Sequence, residues 1–453
     1  MRLEKFEAKN VHGYLNYDID FKGRLTFLIG INGTGKTSVL KLILGLISPS
    51  HDYLNNIDFE FIKLTCYDEN QSKIEISSKP NDNDGLLLSL KKGNEEPIEG
   101  IIEKIPSRIY NQLSYDDRNT KMQSILEHFD NKDVVKEIKE LTTPLFLGLD
   151  RRVYEGQDID KMRQNFLFRR RYREFPQNDP LNISLMDIQE IIYDYVRIIA
   201  SKQPQINQDF KNKILIQSFD FLESQDINLV KDFKELRKKK DEALSAFDNL
   251  NIVGFTEQVN SFFDQLEAVL KEIRNRQKNQ NQPNEEINID SIEYFQKWFN
   301  NQPQLKRIDK LIEFNQAYQS EIEKLYEPLE KVKSIINQFF SESKKEMLID
   351  SEGTITIKFK NGKEAKLFEL SSGEKQIITM LGHLIFFEEK FKKKQGIFII
   401  DEPEVSLHLA WQEIFVKSIM TASPNTQFIL ATHSPAITND ADEDLYQDLA
   451  KMN

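Results

Sequence analysis

The 453-residue sequence predicts an α/β protein in which a sheet domain, built from both ends of the chain, is interrupted by a long helical, coiled-coil-like insertion. Three observations predict this arrangement. An apolar strand runs into a glycine-rich loop within residues 24–37. Two further apolar strands end in polar side chains within residues 396–434. Stretches rich in Lys, Glu, Leu and Phe, typical of helices, fill much of residues 182–345.

Composition indicates a soluble globular chain, with 39% hydrophobic and 30% charged residues. The single cysteine, Cys66, excludes an internal disulfide and a cysteine-based zinc site, and fits a reducing cytosol. The first residues lack the apolar segment of a signal peptide, and the longest near-apolar run, Ile377–Phe387, is too short to span a bilayer. The net charge of −12 argues against binding nucleic acid broadly and without regard to sequence, but it does not exclude a local basic groove. We therefore expect a cytoplasmic protein without a membrane segment.

The amino-terminal segment carries the most specific motif. Short strands are predicted at 3–8 and 17–21, and a buried strand at 24–29 leads into residues 30–37, GINGTGKT, a full G-x-x-x-x-G-K-T match. A helix is predicted from Lys36 to about Ile47. Backbone N–H groups of such a loop, together with the helix N-terminus, bind phosphates. The candidate nucleotide-binding residues are Asn32, Gly33, Thr34, Gly35, Lys36, Thr37 and Ser38.

Within this loop two side chains have specific predicted roles. Lys36 would reach the β- and γ-phosphates of ATP, and the Thr37 hydroxyl would hold Mg²⁺. The alternative is a glycine-rich turn without a ligand, which the strand–loop–helix context disfavours.

A small antiparallel sheet is predicted after this helix. Its strands are placed at residues 59–64, 73–76 and 86–90. Residues 101–140 are predicted to be helical and polar, and residues 144–149 to form a buried strand. Arg151 and Arg152 follow that strand, where one could approach a phosphate or both could form solvated ion pairs.

Arginines are interleaved with aromatic residues between Arg163 and Arg173, with Arg169, Arg170 and Arg171 consecutive. Such a cluster can hold phosphate and stack on bases. The alternative is a helix face or loop packed on an acidic neighbour, which the acidic character of the whole chain favours.

Residues 182–345 are predicted to be a helical insertion. Apolar residues spaced four and three apart mark its return helix: Tyr318, Ile322, Leu325, Leu329, Val332, Ile336 and Phe339. Pro328 lies within this heptad pattern, so a kink or break is expected there. An outbound and a return helix would form a coiled-coil-like arm, and a compact helical subdomain is the alternative.

After the insertion, alternation at 354–360, the Asn361-Gly362 turn and a return at 363–368 predict a β-hairpin. The sequence LSSGEKQ at 370–376 then opens a helix. Small residues at a helix N-terminus can bind a γ-phosphate, helped by the helix dipole. The candidate residues here are Ser371, Ser372, Gly373 and Glu374.

Two neighbouring apolar strands end in residues suited to ATP hydrolysis. The strand at 396–400 ends in Asp401, which suits Mg²⁺, and Glu402, which suits the general base for the attacking water. The strand at 427–430 is followed by His433, which could hydrogen-bond the γ-phosphate. A purely structural histidine is the alternative. The predicted catalytic residues are thus Glu402 and His433, and the predicted metal ligands are Thr37 and Asp401.

In this order and spacing the motifs resemble ABC-type ATPases of the branch that contains SMC, RecF and the overcoming-lysogenization-defect proteins. The residues that match its phosphate loop, signature, Walker B and switch positions are Lys36, Ser371, Asp401, Glu402 and His433. Ser372 stands where transporter ATPases carry a second glycine, which is usual in this branch. The glutamine that normally helps to hold Mg²⁺ cannot be placed by motif.

The resemblance implies an ABC-type ATPase head made of residues 1–181, with the phosphate loop and an antiparallel β subdomain, and residues 346–453, with the signature, Walker B and switch histidine. Residues 182–345 interrupt it, and so long an insertion argues against a transporter engine. In this family the signature of one subunit completes the phosphate-loop site of another. We therefore expect ATP and Mg²⁺ between two heads, in a homodimer or higher oligomer.

Residues 13–33 most resemble the PtuA ATPases of the Septu antiphage systems and of some retrons, which work with an HNH nuclease. Only 20 residues follow His433, too few for the Toprim nuclease of overcoming-lysogenization-defect proteins. We expect an ATP-hydrolysing subunit of an antiphage complex that controls a separate HNH-type nuclease and meets nucleic acid through the complex. The alternatives are a RecF/SMC-like repair ATPase that binds DNA itself, and a scaffold that binds ATP but barely hydrolyses it.

Overall fold

The computed structural model describes residues 1–82, 85–103, 127–141, 144–149, 151, 153–156, 180–219, 233–249, 256–279, 289–390, 396–439 and 441–453. It divides into two compact units. Unit 1 comprises Met1–Tyr195 and Pro328–Asn453, and unit 2 comprises Val196–Glu327. Both ends of the chain thus contribute to unit 1, and the structure confirms the predicted α/β class with an interrupting helical insertion.

The strands, in chain order, are β1 (Arg2–Val11), β2 (Leu15–Asp20), β3 (Leu25–Ile29), β4 (Phe61–Tyr67), β5 (Lys73–Pro80), β6 (Gly85–Lys92), β7 (Ile98–Glu103), β8 (Leu145–Leu147), β9 (Val153–Glu155), β10 (Lys345–Ile349), β11 (Ile355–Phe359), β12 (Glu364–Lys366), β13 (Ile397–Asp401), β14 (Gln427–Ala431) and β15 (Tyr446–Asp448). The helices are α1 (Lys36–Ile47), α2 (His51–Asn55), α3 (Asp133–Leu141), α4 (Pro180–Ser218), α5 (Phe233–Asn249), α6 (Thr256–Asn279), α7 (Ile289–Phe340), α8 (Ser372–Lys390) and α9 (Leu409–Ala422).

A mainly parallel sheet positions the candidate site. Its strand order is β15-β3-β14-β13-β8-β9, with only β9 antiparallel to its neighbour. Every residue of β13 and β14 is buried, as expected for continuous apolar strands of a parallel sheet. The carboxyl ends of β3, β13 and β14 meet at one edge of the sheet. The predicted strands at 24–29, 144–149, 396–400 and 427–430 are confirmed as β3, β8, β13 and β14.

A second, antiparallel sheet has the order β2-β1-β4-β5-β6-β7. Its apolar side chains share one core with α1 and the inner face of β13. The predicted antiparallel sheet is confirmed, and it also includes β1, β2 and β7. The helix predicted across 101–140 is wrong at residues 101–103, which end β7, because backbone pairing with β6 decides their conformation. Residues 104–126 lie outside the described part.

The predicted hairpin after the insertion is confirmed as β11 and β12, which turn at Gly362 with a positive φ of 80°. A strand that the sequence did not predict, β10, pairs with β11 on its other edge. The predicted helix after Leu370 is confirmed as α8, which is buried along most of its length. No helix among the described residues has the length and apolar character needed to cross a membrane.

The described residues of unit 2 are helical except for Phe219, which follows α4. Side chains of α5, α6 and α7 form one apolar core: Leu236, Ala243, Phe263, Leu266, Leu270, Ile273, Trp298, Leu305, Ile308 and Ile312. Helices α4 and α7 lie side by side, because the Tyr318 hydroxyl donates to Asn207 Oδ1 at 2.9 Å and the Tyr326 hydroxyl to Gln203 Oε1 at 3.0 Å. The insertion therefore combines a pair of long antiparallel helices with a small bundle core.

The heptad pattern lies on α7, which is continuous from Ile289 to Phe340. The prediction was a kink or a break at Pro328; a break there is wrong, and a kink stays a prediction. A proline inside a helix costs about 3 kcal/mol, so neighbouring contacts must offset it. Pro328 is itself buried, and Leu329 and Val332 that follow it are 7% and 0% exposed. Burial of these apolar residues stabilises the helix through the proline.

Candidate functional site

The phosphate loop joins β3 to α1, and glycines allow its shape. Gly30, Gly33 and Gly35 have positive φ angles of 149°, 90° and 77°. A Cβ on Gly35 would collide with the Tyr17 hydroxyl, which donates a hydrogen bond to Thr34 O at 2.8 Å. No described side chain caps the N-terminus of α1. Its first N–H groups are therefore available to a phosphate.

Lys36 is folded back onto this loop. Its side chain is mostly buried, and its Nζ donates to Gly30 O at 2.9 Å and to Ile31 O at 3.4 Å. Burial lowers the pKa of Lys36, while the carboxylates of Glu402, Asp401 and Glu404 act in the opposite direction. The ammonium group thus lies in the loop that would surround the phosphates, within the field of three carboxylates.

Asp401 ends β13 as a buried, under-satisfied carboxylate. It is 3% exposed, and neither oxygen accepts a well-formed hydrogen bond from the described residues. Burial raises its pKa to about 6, against the opposing influence of the Thr37 hydroxyl and of Lys41 and Lys36. A carboxylate beside a hydroxyl at a phosphate loop is the oxygen donor set that Mg²⁺ takes in nucleotide sites.

The residues present fit Mg²⁺ that arrives with a nucleotide. No group of three or more His, Cys, Asp or Glu side chains in the described ranges could hold a metal ion on its own. Mg²⁺ usually takes one or two protein oxygens, with phosphate and water as the other ligands. Asp401 and Thr37 would supply those protein oxygens.

Replacing Asp401 with asparagine is expected to stabilise the nucleotide-free protein at pH 7. At pH 7 the Asp401 carboxylate of the wild-type protein is ionised in both the folded and the unfolded state. Its pKa, raised from 3.8 to about 6 in the folded state, corresponds to a burial cost of about 3 kcal/mol. That cost decreases as the pH falls below 6 and disappears near 3.8, the pKa of the carboxyl in the unfolded chain. Urea unfolding at pH 7 and pH 4 measures the difference.

The same Asp401→Asn variant should lose the Mg²⁺-dependent gain in ATP affinity, because the amide cannot supply a charged ligand. Asp444→Asn, at a side chain that is 86% exposed, is the control and should change neither quantity. An Asp401→Asn protein that is less stable than wild type at pH 7 would contradict the assignment of Asp401 as a buried carboxylate whose desolvation is only partly offset by its neighbours.

Glu402 and His433 lie at the ends of adjacent strands. The Glu402 N–H donates to Ala431 O at 2.8 Å, although Glu402 has a left-handed φ of 50°. Glu402 Oε1 lies 3.9 Å from His433 Nε2, and each side chain is 32% exposed. A carboxylate that can accept a proton and an imidazole that can contact a phosphate therefore face the same solvent-accessible space.

Glu404 and Gln412 join these elements, and sequence reasoning assigned neither to the site. Glu404 Oε1 accepts the His433 N–H at 2.7 Å. Gln412, in the first turn of α9, donates from Nε2 to Leu407 O at 2.9 Å and accepts from Ser434 Oγ at 2.5 Å. The sequence DEPE at 401–404 could have pointed to Glu404, because its carboxylate follows so closely after Asp401 and Glu402. Nothing in the sequence pointed to Gln412, because α9 itself was not predicted.

The signature residues open α8. Ser371 and Ser372 are exposed, whereas Glu374 is 4% exposed. Glu374 Oε2 accepts from Ser371 N at 3.0 Å and Ser371 Oγ at 2.8 Å, and its Oε1 accepts from Lys345 Nζ at 2.5 Å. Burial acts to raise the pKa of Glu374, but these donors outweigh it and leave the pKa lowered. Glu374 thus caps its own helix rather than presenting a free carboxylate.

Gly373 packs against the loop that follows β13. A Cβ there would lie 2.5 Å from Ser406 O, so only glycine fits this contact. Gln376, one turn further along α8, donates to Pro403 O at 3.4 Å. The start of α8 is therefore attached to the Walker B loop of the same chain.

The structure brings the phosphate loop, Asp401, Glu402 and His433 together at the carboxyl edge of the parallel sheet. No hydrogen bond or ion pair between described residues joins 371–374 to that loop. Ser38, just after it, has its Oγ 2.9 Å from His12 Nε2. Arg151 follows β8, beside β13, with a left-handed φ of 61°. Its partner in the predicted arginine pair, Arg152, and the cluster at 163–173 lie outside the described residues.

A phosphate loop on β3, next to β14 and then β13, defines a P-loop nucleotide-binding fold. The chain belongs to the AAA ATPase domain family, whose model matches residues 1–438. It is 38% identical over 85 residues to the retron Vc95 probable ATPase of Vibrio cholerae serotype O1 biovar El Tor, which covers 17% of this chain and 16% of the relative. It is 31% identical over 134 residues to the DNA replication and repair protein RecF of Francisella tularensis subsp. mediasiatica. This match covers 27% of this chain and 36% of the relative.

The chain thus spans well under half the length of these two relatives. Among solved structures it is similar to the Smc head domain with an extended coiled coil of Pyrococcus furiosus, at 14% identity and a TM-score of 0.36, covering 97% of this chain and 92% of that chain. The family model and the two relatives support the SMC/RecF branch of ABC-type ATPases. The closer resemblance to PtuA stays a prediction.

Proposed function

We propose that this chain hydrolyses ATP with Mg²⁺ and uses nucleotide-dependent dimerisation of its heads to control a separate HNH-type nuclease in an antiphage complex. The observation that carries the ATPase part is the meeting of Lys36, Asp401, Glu402 and His433 at the ends of three adjacent parallel strands. Membership in the AAA ATPase domain family supports it.

Each side chain has a definite task in this proposal. The N–H groups of the loop and Lys36 bind the β- and γ-phosphates. Asp401 and Thr37 would hold Mg²⁺, whose bound charge would offset the negative charge that develops on the phosphates. Glu402 accepts a proton from water as the water oxygen attacks the γ-phosphorus, and the bond to the β-phosphate oxygen breaks to release ADP. His433 donates to a γ-phosphate oxygen.

The dimer part of the proposal rests on the signature residues. Ser371 and Ser372 are exposed at the N-terminus of α8, where backbone N–H groups and the helix dipole favour an anion. They have no polar link to the phosphate loop of their own chain within the described residues. We therefore assign them to the γ-phosphate held by Lys36 of a second copy, so that ATP joins two heads.

The nuclease part rests on the similarity to the retron Vc95 probable ATPase and on the resemblance to PtuA. We assign the helical insertion as the surface that recruits the partner chain. One hydrogen bond joins Tyr326 to Gln203, so the chain can be closed there with a short glycine-serine turn. A variant lacking the residues between them is expected to lose a co-expressed HNH-type nuclease in pull-down experiments while still binding ATP. Undiminished co-purification would refute this role of the insertion.

A RecF-like repair ATPase is the second candidate, and the 31% identity to RecF over 134 residues favours it. The two functions differ in what the isolated protein binds. A repair ATPase should bind DNA alone, with an affinity that falls steeply with salt. The net charge of −12 opposes such binding. Tight, salt-sensitive DNA binding without a nuclease partner would therefore favour the RecF-like function.

A further inference from the structure

The loop after β13 contains two residues with rare backbone conformations, which contacts within the loop must stabilise. Glu402 and Ser406 both adopt left-handed conformations, with φ of 50° and 70°. Non-glycine residues rarely adopt this region, and such positions concentrate at functional sites. Within the loop, Val405 N donates to Glu402 O at 3.1 Å and Leu407 N to Glu404 O at 3.0 Å. These turns direct the Glu404 side chain toward β14.

Glu404 contacts the backbone of His433 with one carboxylate oxygen. Its Oε1 accepts the His433 N–H at 2.7 Å, a length typical of strong charge-assisted hydrogen bonds. The other oxygen, Oε2, is buried and accepts no hydrogen bond from the described residues. The negative charge of Glu404 also acts on Lys36. The carboxylate therefore lies at the site and fixes the position from which the imidazole of His433 extends.

Gln412 supports the same arrangement through separate hydrogen bonds. It bridges Leu407 O, at the end of the loop, and Ser434 Oγ, next to His433. The loop and the residues after β14 are thus joined by two independent links. Between them Glu402 Oε1 and His433 Nε2 lie 3.9 Å apart.

We propose that Glu404 is a positioning residue for ATP hydrolysis, which holds His433 at its working distance from Glu402 and the γ-phosphate. The inference rests on the proposed ATPase activity. Misplacing a reacting group by about 1 Å can cost of order 100-fold in rate. Loss of Glu404 should therefore lower kcat rather than weaken ATP binding.

Steady-state ATP hydrolysis tests the role with three variants. Glu404→Ala should lower kcat by about 10- to 100-fold with a KM for ATP within about threefold of wild type. Glu404→Gln keeps an oxygen that can accept the His433 N–H and should restore kcat to within about threefold of wild type. Glu413→Ala, at an exposed carboxylate on α9, is the matched control and should leave both constants unchanged.

A double-mutant cycle separates positioning from general support. If Glu404 acts through His433, then Glu404→Ala should cause no further loss in a His433→Ala background. Losses that multiply would overturn the proposal, and so would a Glu404→Ala enzyme with the kcat of wild type. A wild-type chain that never hydrolyses ATP would instead refute the proposed function.

Amide hydrogen exchange tests the role of Glu404 even if the wild-type chain does not hydrolyse ATP. The amide of His433 should exchange faster in Glu404→Ala than in wild type, and at a near-wild-type rate in Glu404→Gln. Equal exchange of peptides that cover 428–436 in all three proteins would show that the carboxylate does not hold this amide, and would overturn the proposal independently of activity.

Discussion

Glu402→Gln is expected to lower the rate of ATP hydrolysis by about 10²- to 10⁴-fold while ATP-bound dimers persist. Glutamine keeps the shape of the side chain but cannot accept the proton of the attacking water. Glu402 lies outside the phosphate loop, and its backbone N–H, which donates to Ala431 O, is unchanged by the substitution. ATP binding should therefore be retained. Measuring phosphate release and ATP affinity on the same protein tests whether hydrolysis is lost while binding remains.

Glu413→Gln, an exposed glutamate on α9, serves as the matched control for this substitution and should hydrolyse ATP like wild type. A Glu402→Gln protein that hydrolyses ATP at the wild-type rate would show that Glu402 is not the base. Slow hydrolysis in wild type with no further loss in Glu402→Gln would favour the scaffold alternative, in which ATP acts as a switch without turnover.

Lys36→Ala is expected to weaken ATP binding by about 10- to 100-fold, because a charged hydrogen bond to phosphate contributes about 1.5–3 kcal/mol. The Nζ group now donates to Gly30 O and Ile31 O, so its loss also leaves two loop carbonyls without this donor. Isothermal titration with ATP and Mg²⁺ measures the dissociation constant. Hydrolysis should fall in parallel.

An exposed lysine of the antiparallel sheet provides the comparison. Lys91→Ala removes one positive charge far along the chain from the loop and should leave ATP affinity unchanged. If Lys36→Ala binds ATP as tightly as wild type, the phosphate-loop assignment is wrong.

Local sequence patterns predicted the parts of the site that lie within one element. The strand, GINGTGKT and α1 follow from an apolar run, glycines and a helical segment next to each other in the chain. The apolar runs of β13 and β14 likewise predicted strands that end at Asp401 and before His433. Patterns of this kind do not predict that β14 lies between β3 and β13, because strand order depends on contacts distant in sequence.

Tertiary contacts explain the remaining differences. Residues 101–103 form a strand because β6 offers them backbone partners, and α7 continues through Pro328 because the residues around it are buried. Glu374 stays a predicted nucleotide-binding residue, and its spacing from Ser371 also matches a helix capping box, whose hydrogen bonds are observed. Its ion pair with Lys345 depends on β10, which the sequence did not predict.

The central claim is that ATP joins two copies of this chain, with the signature of one facing the phosphate loop of the other. The mass of the Glu402→Gln protein in solution, measured with and without ATP and Mg²⁺, tests it most directly. The monomer has a mass of 53.2 kDa. We expect the mass to double when ATP and Mg²⁺ are added and to stay unchanged in a variant that also carries Lys36→Ala. A single mass that does not depend on ATP would contradict the claim.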